Sequence, residues 1–225
     1  MKNILSFFLC AFFISTLSYG QNSCSKYYPF IEGKTFQITT YDKKGKKATV
    51  VDYNITNVTS NTATFNTKIY DDKGKEVTTT SYDITCDNNA ISIDFNSLIS
   101  PELLEQYKDM ELDVTGTNIE IPNSLTVGQA LKDAAMIMTI KMGGLNMNMT
   151  MHLTDRKVAA RESVTTSAGT FDCYVISYTT EVKMGLKQTN MAKDWIAEGV
   201  GMVKSETFNK NGKLLGYSEL TQISN

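Results

Sequence analysis

Residues 136–153 hold the pattern that most limits what this chain can fold into. Apolar residues occupy every second position on both sides of a glycine pair at 143–144. Period-two alternation is typical of a β-strand with one buried face, and paired glycines allow a two-residue hairpin turn. A turn of that length sets Met138 opposite Met149, with the flanking pairs in the same register. The sequence therefore predicts an antiparallel hairpin whose apolar side chains share one face.

The shared face is rich in methionine, and three interpretations of it compete. Burial in a core is the simplest, because alternation of this kind needs no ligand. A second is a lining for an apolar ligand, since unbranched, polarizable side chains repack around varied shapes. A third is a Cu(I) site, because thioethers are soft ligands, although His152 points to the other face. The residues of the hypothetical ligand site are Met136, Met138, Ile140, Met142, Met147, Met149 and Met151.

Further strand patterns fill most of the chain. Thr170–Thr179 is rich in β-branched and aromatic residues, and a second run around Trp195 reverses through Gly199–Gly201. A glycine-rich phosphate cradle is disfavoured at that turn, because no helix pattern follows it. Additional strand-like runs cover residues 49–58, 62–70, 77–86 and 90–95. The connections between them are too short for parallel pairing, so the predicted sheet is antiparallel.

One turn pattern occurs three times, at 41–46, 70–75 and 208–213. Each copy has an aromatic residue, then Asp or Asn, two polar residues, glycine and lysine. We expect the Asp or Asn side chain to cap a type I turn and the glycine to adopt a left-handed conformation. An anion-binding loop is the functional alternative, and a solvated hairpin turn is the simpler interpretation.

Three stretches depart from the strand pattern. Ser100 suits a helix N-cap and Pro101 suits the first helical position, which predicts one short helix over 101–108. Residues 115–131 contain two glycines and a proline, and they predict a long irregular connection that covers the sheet. Mixed charges at 155–162 include both arginines of the chain and predict a solvated turn or an exposed strand.

The first twenty residues form a predicted export signal. Lys2 precedes a nearly continuous apolar run that ends at Leu17, and small residues up to Gly20 fit a cleavage site. The run is too short for a comfortable membrane span, and no later stretch qualifies. We therefore expect residues 21–225 to form one exported domain, periplasmic or secreted. Lipid attachment at Cys24 is an alternative, but the residues before it fit a lipoprotein signal poorly.

The charge of the chain is nearly balanced. The formal net charge is −2, with 22 basic and 24 acidic residues, and loss of Lys2 makes it one unit more negative. A molecule with so small a charge does not attract nucleic acid or anionic lipid through its overall field. No nucleic-acid partner is predicted.

Cysteines and acids give few candidates for chemistry. Cys24 and Cys86 lie near segment ends and are the candidate disulfide, whereas Cys173 lies mid-strand as a predicted buried thiol. The only histidine is His152, so a cysteine nucleophile lacks a clear base. No catalytic residue, metal or cofactor is predicted. A hydrolase would need two distant carboxylates, such as those of Asp172 and Glu206, to converge.

Several motifs together resemble a known family. They are Tyr27-Tyr28-Pro29, the turn at 41–46, Gly169 to Tyr174, Trp195 to Glu206, and Gly212-Lys213-Leu214. As a set they resemble a TapB-like family of exported bacterial proteins, common among Bacteroidetes and known as a domain of unknown function. That family is similar to exported proteins of the YmcC-like fold. The resemblance implies a large curved antiparallel sheet shaped like an open or partial barrel, and it implies no catalytic or ligand residues.

The sequence thus predicts an all-β domain. We expect one large curved antiparallel sheet of about a dozen strands, an open or partial barrel, with one short helix. The expected protein is a non-enzymatic envelope protein that acts as a binding or scaffold module. Its partner would be another envelope protein or an apolar small molecule held in the concavity of the sheet. The alternatives are a periplasmic Cu(I)-handling protein that uses the methionine hairpin, and a hydrolase.

Overall fold

A computed structural model describes residues 24–87, 89–99, 107 and 109–224 of the chain. The predicted export signal and its cleavage site lie outside the described residues. So does the predicted helix over 101–108, apart from Tyr107, which lies in a turn.

The described residues are almost all in β-strands, as the sequence predicted. They form a single antiparallel sheet of 13 strands. A short 3-10 helix, η1, spans Phe95–Leu98 and is capped by the Asp94 side chain, which accepts from the Asn96 N–H. The strands are β1 (Thr35–Asp42), β2 (Lys47–Thr56), β3 (Thr62–Tyr70), β4 (Glu76–Asp87), β5 (Ala90–Ile93), β6 (Glu111–Thr117), β7 (Ile119–Pro122), β8 (Ala134–Met142), β9 (Leu145–Thr166), β10 (Gly169–Met184), β11 (Leu186–Ala197), β12 (Gly201–Asn209) and β13 (Leu214–Ile223).

The order of the strands forces the sheet to curl. Across the sheet they run β6-β8-β9-β10-β11-β12-β13-β1-β2-β3-β4-β5-β7, so β6 and β7 are the two edges. These edge strands are consecutive in the chain, and only Asn118 separates them. Because one residue cannot span a flat sheet of this width, the two edges must meet. The sheet is therefore a nearly closed barrel.

Strands β6 and β7 correct one expectation. Residues 115–131 were predicted to be a long irregular connection, but strand β6 extends to Thr117 and β7 follows at once. Gly116 is required in β6, because a Cβ there would lie 2.4 Å from the Ala135 carbonyl oxygen. The glycine marks close approach of two strands and not a loop. Only the residues after Pro122 form a connection, and they run beside β9 through the bridge between Ala130 and Lys157.

The repeated turns and the glycine turn fold as predicted. In each copy of the turn pattern, the side-chain oxygen of Asp42, Asp71 or Asn209 accepts two backbone N–H groups of its own turn. The glycine of each copy has a positive φ of 75–82°. Strand β11 reverses into β12 between Ala197 and Gly201, also as predicted.

The core has three parts. The largest fills the barrel interior with side chains from both halves of the sheet and from the segment 24–30, which is fixed by a disulfide between Cys24 and Cys86. A second part is the methionine-rich cluster at the β8–β9 hairpin. A third lies on the other face of β10–β12, around Cys173 and Trp195. The disulfide and the buried free thiol of Cys173 confirm the sequence predictions.

Candidate functional site

The methionine hairpin has the predicted register. Met136 pairs with Met151, Met138 with Met149, and Ile140 with Met147. The side chains share one face, since direct cross-strand partners always do. This face continues the interior face of the barrel along β9, where Leu153 follows Met151 at the next equivalent position.

Packed side chains cover the methionine face. Met136, Met138 and Ile140 are fully buried, and Met149 is nearly so. Tyr107 is buried in the same cluster, and the half-buried members are Phe95, Ile99, Leu112, Val114, Met147, Met151, Val182 and Met184. Unbranched thioethers fill irregular space between such groups well. This arrangement favours the core-filling interpretation, while the ligand and Cu(I) hypotheses for these residues stay predictions.

Arg156 gives the clearest departure from the sequence analysis. It was predicted on a solvated face, but its side chain is only 3% exposed. The cause is a β-bulge, in which Tyr178 of β10 faces both Asp155 and Arg156 of β9. Asp155 has a φ of 55°, and this left-handed residue turns the next side chain toward the interior. Alternation along β9 is thereby shifted by one residue.

The buried guanidinium holds the seam of the barrel. Arg156 Nη1 donates to the carbonyl oxygen of Glu120 in β7, at 3.3 Å, and to that of Lys132. A charge-assisted donor shared between these two segments ties β9 to the edge strand β7. Burial lowers the pKa of Arg156 from its ordinary value, although nearby Tyr178, Asp194, Asp133 and Glu120 act in the opposite direction.

Asp194 places a carboxyl group in the same interior. It lies on β11 and shares its face with Ile196, because residues two apart on a strand point the same way. Burial raises the pKa of Asp194 above its usual value, and the hydroxyl groups of Ser205 and Tyr178 and the charge of Arg156 lower it less strongly. Among the described residues, no direct ion pair joins Asp194 to Arg156. The carboxyl group thus faces hydroxyl groups and open space.

Tyrosine side chains surround this carboxyl group. Burial raises the pKa of Tyr53 to about 12. It also raises the pKa of Tyr28, Tyr82 and Tyr178, with Asp194 adding to the effect on Tyr28 and Tyr178. Three of the rings pack on phenylalanines: Phe36 stacks on Tyr53 with ring centroids 4.4 Å apart, and Tyr28 and Tyr82 contact Phe65. The hydroxyl groups are the polar ends of an otherwise aromatic wall.

These residues line a cavity of about 290 Å³ in the barrel interior, which we call the interior cavity. Its lining residues are Tyr28, Phe36, Ile38, Tyr53, Tyr82, Ile93, Ser97, Ile119, Ile121, Leu153, Arg156, Ile176, Tyr178, Asp194, Ile196, Met202, Ser205 and Ser218. Ligand pockets are mostly apolar with a few convergent polar groups, and their volumes begin at about 300 Å³. The interior cavity has this chemistry and lies at the small end of the range.

A larger concavity lies on the outer face of β13 and β1–β4. Its volume is about 1120 Å³, and its walls carry mainly amide and hydroxyl groups. Several of these groups already bond to each other: Gln37 donates to Asp52 at 2.8 Å and accepts from Thr221 at 2.9 Å. The groove is open and several of its polar groups already bond other side chains, so it is a weaker candidate for a specific site.

The other sequence candidates are not brought together. Asp172 forms an exposed ion pair with Arg161, and Glu206 pairs with Lys204 at 2.8 Å. In the sheet register Glu206 lies beside Lys193, which faces Ser177 of β10. Asp172 is five residues further along β10, which puts the two acids roughly 20 Å apart. They do not form the carboxylate pair that a hydrolase would need.

Comparison with known proteins settles the family. A family model described as DUF3108-like matches residues 31–220. The chain belongs to this family. No curated protein matches the chain.

Solved structures show the same fold. One is a proposed exported protein with YmcC-like fold from Bacteroides fragilis, with TM-score 0.75 and 22% identity over 90% of this chain and 100% of that one. Another is a proposed lipoprotein from Parabacteroides distasonis, with TM-score 0.75 and 24% identity over 89% of this chain and 99% of that one. The expected resemblance to exported proteins of the YmcC-like fold is confirmed. Among the described residues, no helix has the length and hydropathy needed to cross a bilayer.

The interior cavity was not predicted from the sequence. Asp194 and Tyr178 had a usable signal, because each lies two residues from an isoleucine on the inner face of its strand. No sequence signal showed that Arg156 is buried. The only related feature is that an aspartate, such as Asp155 before it, tolerates a left-handed backbone conformation. A bulge in β9 is a property of its pairing with β10, and the residues of β9 alone do not show it.

Proposed function

We propose that this DUF3108-like protein is an exported binding module that holds a small amphipathic molecule in the interior cavity and acts without catalysis. One observation carries the proposal: the Asp194 carboxyl group lies in an apolar cavity without a direct ionic partner among the described residues. A buried carboxyl group is costly unless it is paired or hydrogen-bonded. The hydroxyl groups of Ser205 and Tyr178 already bond this carboxyl group, and a ligand with an N–H or O–H donor would occupy its remaining acceptor sites.

The walls of the cavity suit the apolar part of such a ligand. Isoleucines from five strands face the tyrosines across the cavity. Apolar walls give affinity with little directional demand, and the few polar groups fix orientation. Arg156 is held by backbone carbonyl groups of the barrel seam, so it is a structural cation more than a free ligand contact.

The disulfide supports export. Disulfides form in oxidising compartments, and the pair Cys24–Cys86 closes a long loop of the chain. The same bond speaks against lipid attachment at Cys24, since its sulfur already bonds Cys86. The structural neighbours are described as an exported protein and a lipoprotein, which agrees with a place in the cell envelope.

A fluorescent probe tests the proposal. N-phenyl-1-naphthylamine is small, apolar and uncharged, and it carries one N–H donor. We expect it to bind the oxidised mature protein with a rise in fluorescence. Met202→Trp, which fills the interior cavity, should weaken this binding by at least about tenfold, because one well-filled apolar pocket is worth that much. Met138→Leu should leave it unchanged, because Met138 lies in the methionine cluster.

Two results would contradict the proposal. One is probe binding that is lost in Met138→Leu and kept in Met202→Trp, which would place the ligand at the methionine face. The other is no probe binding to a wild-type protein whose circular dichroism shows the folded sheet. Equal melting temperatures of wild type and variants exclude loss of fold as the cause.

A further inference from the structure

Five hairpin turns lie along one rim of the barrel. In an antiparallel sheet, every second turn falls on the same side. The turns after β1, β3, β8, β10 and β12 therefore share a side, and we call them the hairpin rim. Contacts join the turn after β1 to the turn after β3 and to strand β13. Lys46 Nζ lies 3.0 Å from Asp72 of the next turn, and Tyr41 stacks on Tyr217 with ring centroids 4.9 Å apart.

Three of these turns concentrate lysine on the rim. They are the three copies of the repeated turn pattern. Their lysines are all exposed, and they are Lys43, Lys44, Lys46, Lys73, Lys75, Lys210 and Lys213. The same turns hold three acids, Asp42, Asp71 and Asp72. The three turns thus carry a surplus of four positive charges, although the whole chain has a net charge of −2.

The acids of these turns are held by local contacts, and the surplus of four positive charges already counts them. The carboxylates of Asp42 and Asp71 accept backbone N–H groups within their own turns. Those hydrogen bonds hold the pKa of Asp42 below its ordinary value. Asp72 pairs with Lys46. The lysine side chains are long and flexible, so they reach beyond the turns into solvent.

The other two turns of the rim each carry a solvent-exposed leucine. Leu145 directly follows the glycine pair after β8 and is 72% exposed. Leu186 directly follows Gly185 after β10 and is 85% exposed. Large apolar side chains at the tips of hairpins have no packing role there. A surface that combines exposed lysines with protruding apolar tips fits the interface of an anionic bilayer.

We propose that the hairpin rim is a peripheral docking surface for an anionic lipid bilayer. The lysines of the three repeated turns lie against the headgroups, and Leu145 and Leu186 enter the boundary of the acyl chains. The more acidic remainder of the molecule points away from the bilayer, which fixes the orientation of the barrel. This surface is separate from the interior cavity, so it does not depend on the proposed ligand.

Vesicle sedimentation tests the proposal. The oxidised mature protein is mixed at low salt with vesicles of phosphatidylcholine and phosphatidylglycerol at three to one, or with phosphatidylcholine alone. We expect binding to the anionic vesicles only, and loss of it as salt screens the charges. The variant Lys43→Ser, Lys44→Ser, Lys73→Ser, Lys210→Ser should bind at least about tenfold more weakly. Leu145→Ser with Leu186→Ser should also weaken binding.

A matched variant controls for overall charge. Lys26→Ser, Lys34→Ser, Lys132→Ser, Lys157→Ser removes the same number of lysines outside the five turns of the rim, and it should bind like wild type. Equal loss in both lysine variants would overturn the proposal, as would absence of wild-type binding to anionic vesicles. Binding of polyglutamate in place of vesicles would also overturn it, because the rim would then fit an acidic polymer. Melting curves establish that each variant is folded.

Discussion

Arg156 shows how one residue links the closure of the barrel to its interior chemistry. Its guanidinium spans the seam between β9 and β7, and its charge lies near the Asp194 carboxyl group. The chain has one other arginine, Arg161, which forms an exposed pair with Asp172. The two arginines therefore offer a matched comparison of a buried and an exposed cation.

Replacement of Arg156 should destabilise the protein far more than replacement of Arg161. Arg156→Met leaves the Glu120 and Lys132 carbonyl groups without their donor, so we expect unfolding free energy to fall by about 2–4 kcal/mol. Arg161→Met removes a solvent-screened ion pair with Asp172 and a cation–π contact with the Tyr174 ring at 5.3 Å, and it should cost about 1 kcal/mol. Urea unfolding followed by Trp195 fluorescence measures both. Equal losses would show that Arg156 does not hold the seam.

At the scale of the element, the β8–β9 hairpin was predictable because its information is local. Alternation fixes the face, and the glycine pair fixes the turn, so the register of the methionines followed directly. The alternation does not show which side chains pack against the methionine face. In the structure Tyr107 and the other members of the cluster occupy it.

Packing of the methionine face predicts a clear mutational pattern. Met138 is fully buried opposite Met149, so Met138→Ala should cost about 2–5 kcal/mol of unfolding free energy through the cavity it leaves. Met138→Leu keeps the volume and should cost less than about 1.5 kcal/mol. Ile137→Ala, on the other face and 44% exposed, should change stability by about 0.5 kcal/mol or less. A small loss in Met138→Ala would indicate an open, ligand-lining face instead.

At the scale of the whole molecule, the disulfide fixes the N-terminal segment to the barrel. Cys24 and Cys86 are 62 residues apart in the chain. Tyr27 and Phe30 follow Cys24 closely and are buried in the main core. Asn123 strengthens the attachment, because its side chain donates to the Cys24 carbonyl oxygen at 2.6 Å and accepts from the Lys26 N–H at 3.0 Å.

Reduction of the disulfide should lower stability substantially. A cross-link that closes a loop of this length contributes about 4 kcal/mol by restricting the unfolded chain. We therefore expect the free energy of unfolding of wild type, measured in urea, to fall by that amount when dithiothreitol is added. The variant Cys24→Ser, Cys86→Ser should have the same free energy of unfolding as reduced wild type, and dithiothreitol should not change it. Thiol titration checks that the disulfide is reduced. If the urea midpoint of reduced wild type then equals that of oxidised wild type, the expectation is wrong.

The sequence by itself determined the features that depend on neighbouring residues. These are most of the strands, the glycine and lysine turns, the methionine register and the all-β class, because side-chain alternation and turn chemistry act over a few residues. The sequence also indicated Cys24 and Cys86 as the candidate pair, because Cys173 lies in a strand interior, but the bond itself is seen only in the structure.

Only the tertiary structure decided what lies inside. The bulge at Asp155 that buries Arg156 exists through the pairing of two strands. The meeting of Asp194 with four tyrosines requires strands distant in the chain to close into one barrel. The common rim of the three lysine turns likewise follows from strand order, which no single turn encodes. Pairing of strands that are distant in the chain closes the barrel and brings these groups together. Local sequence patterns do not predict that pairing.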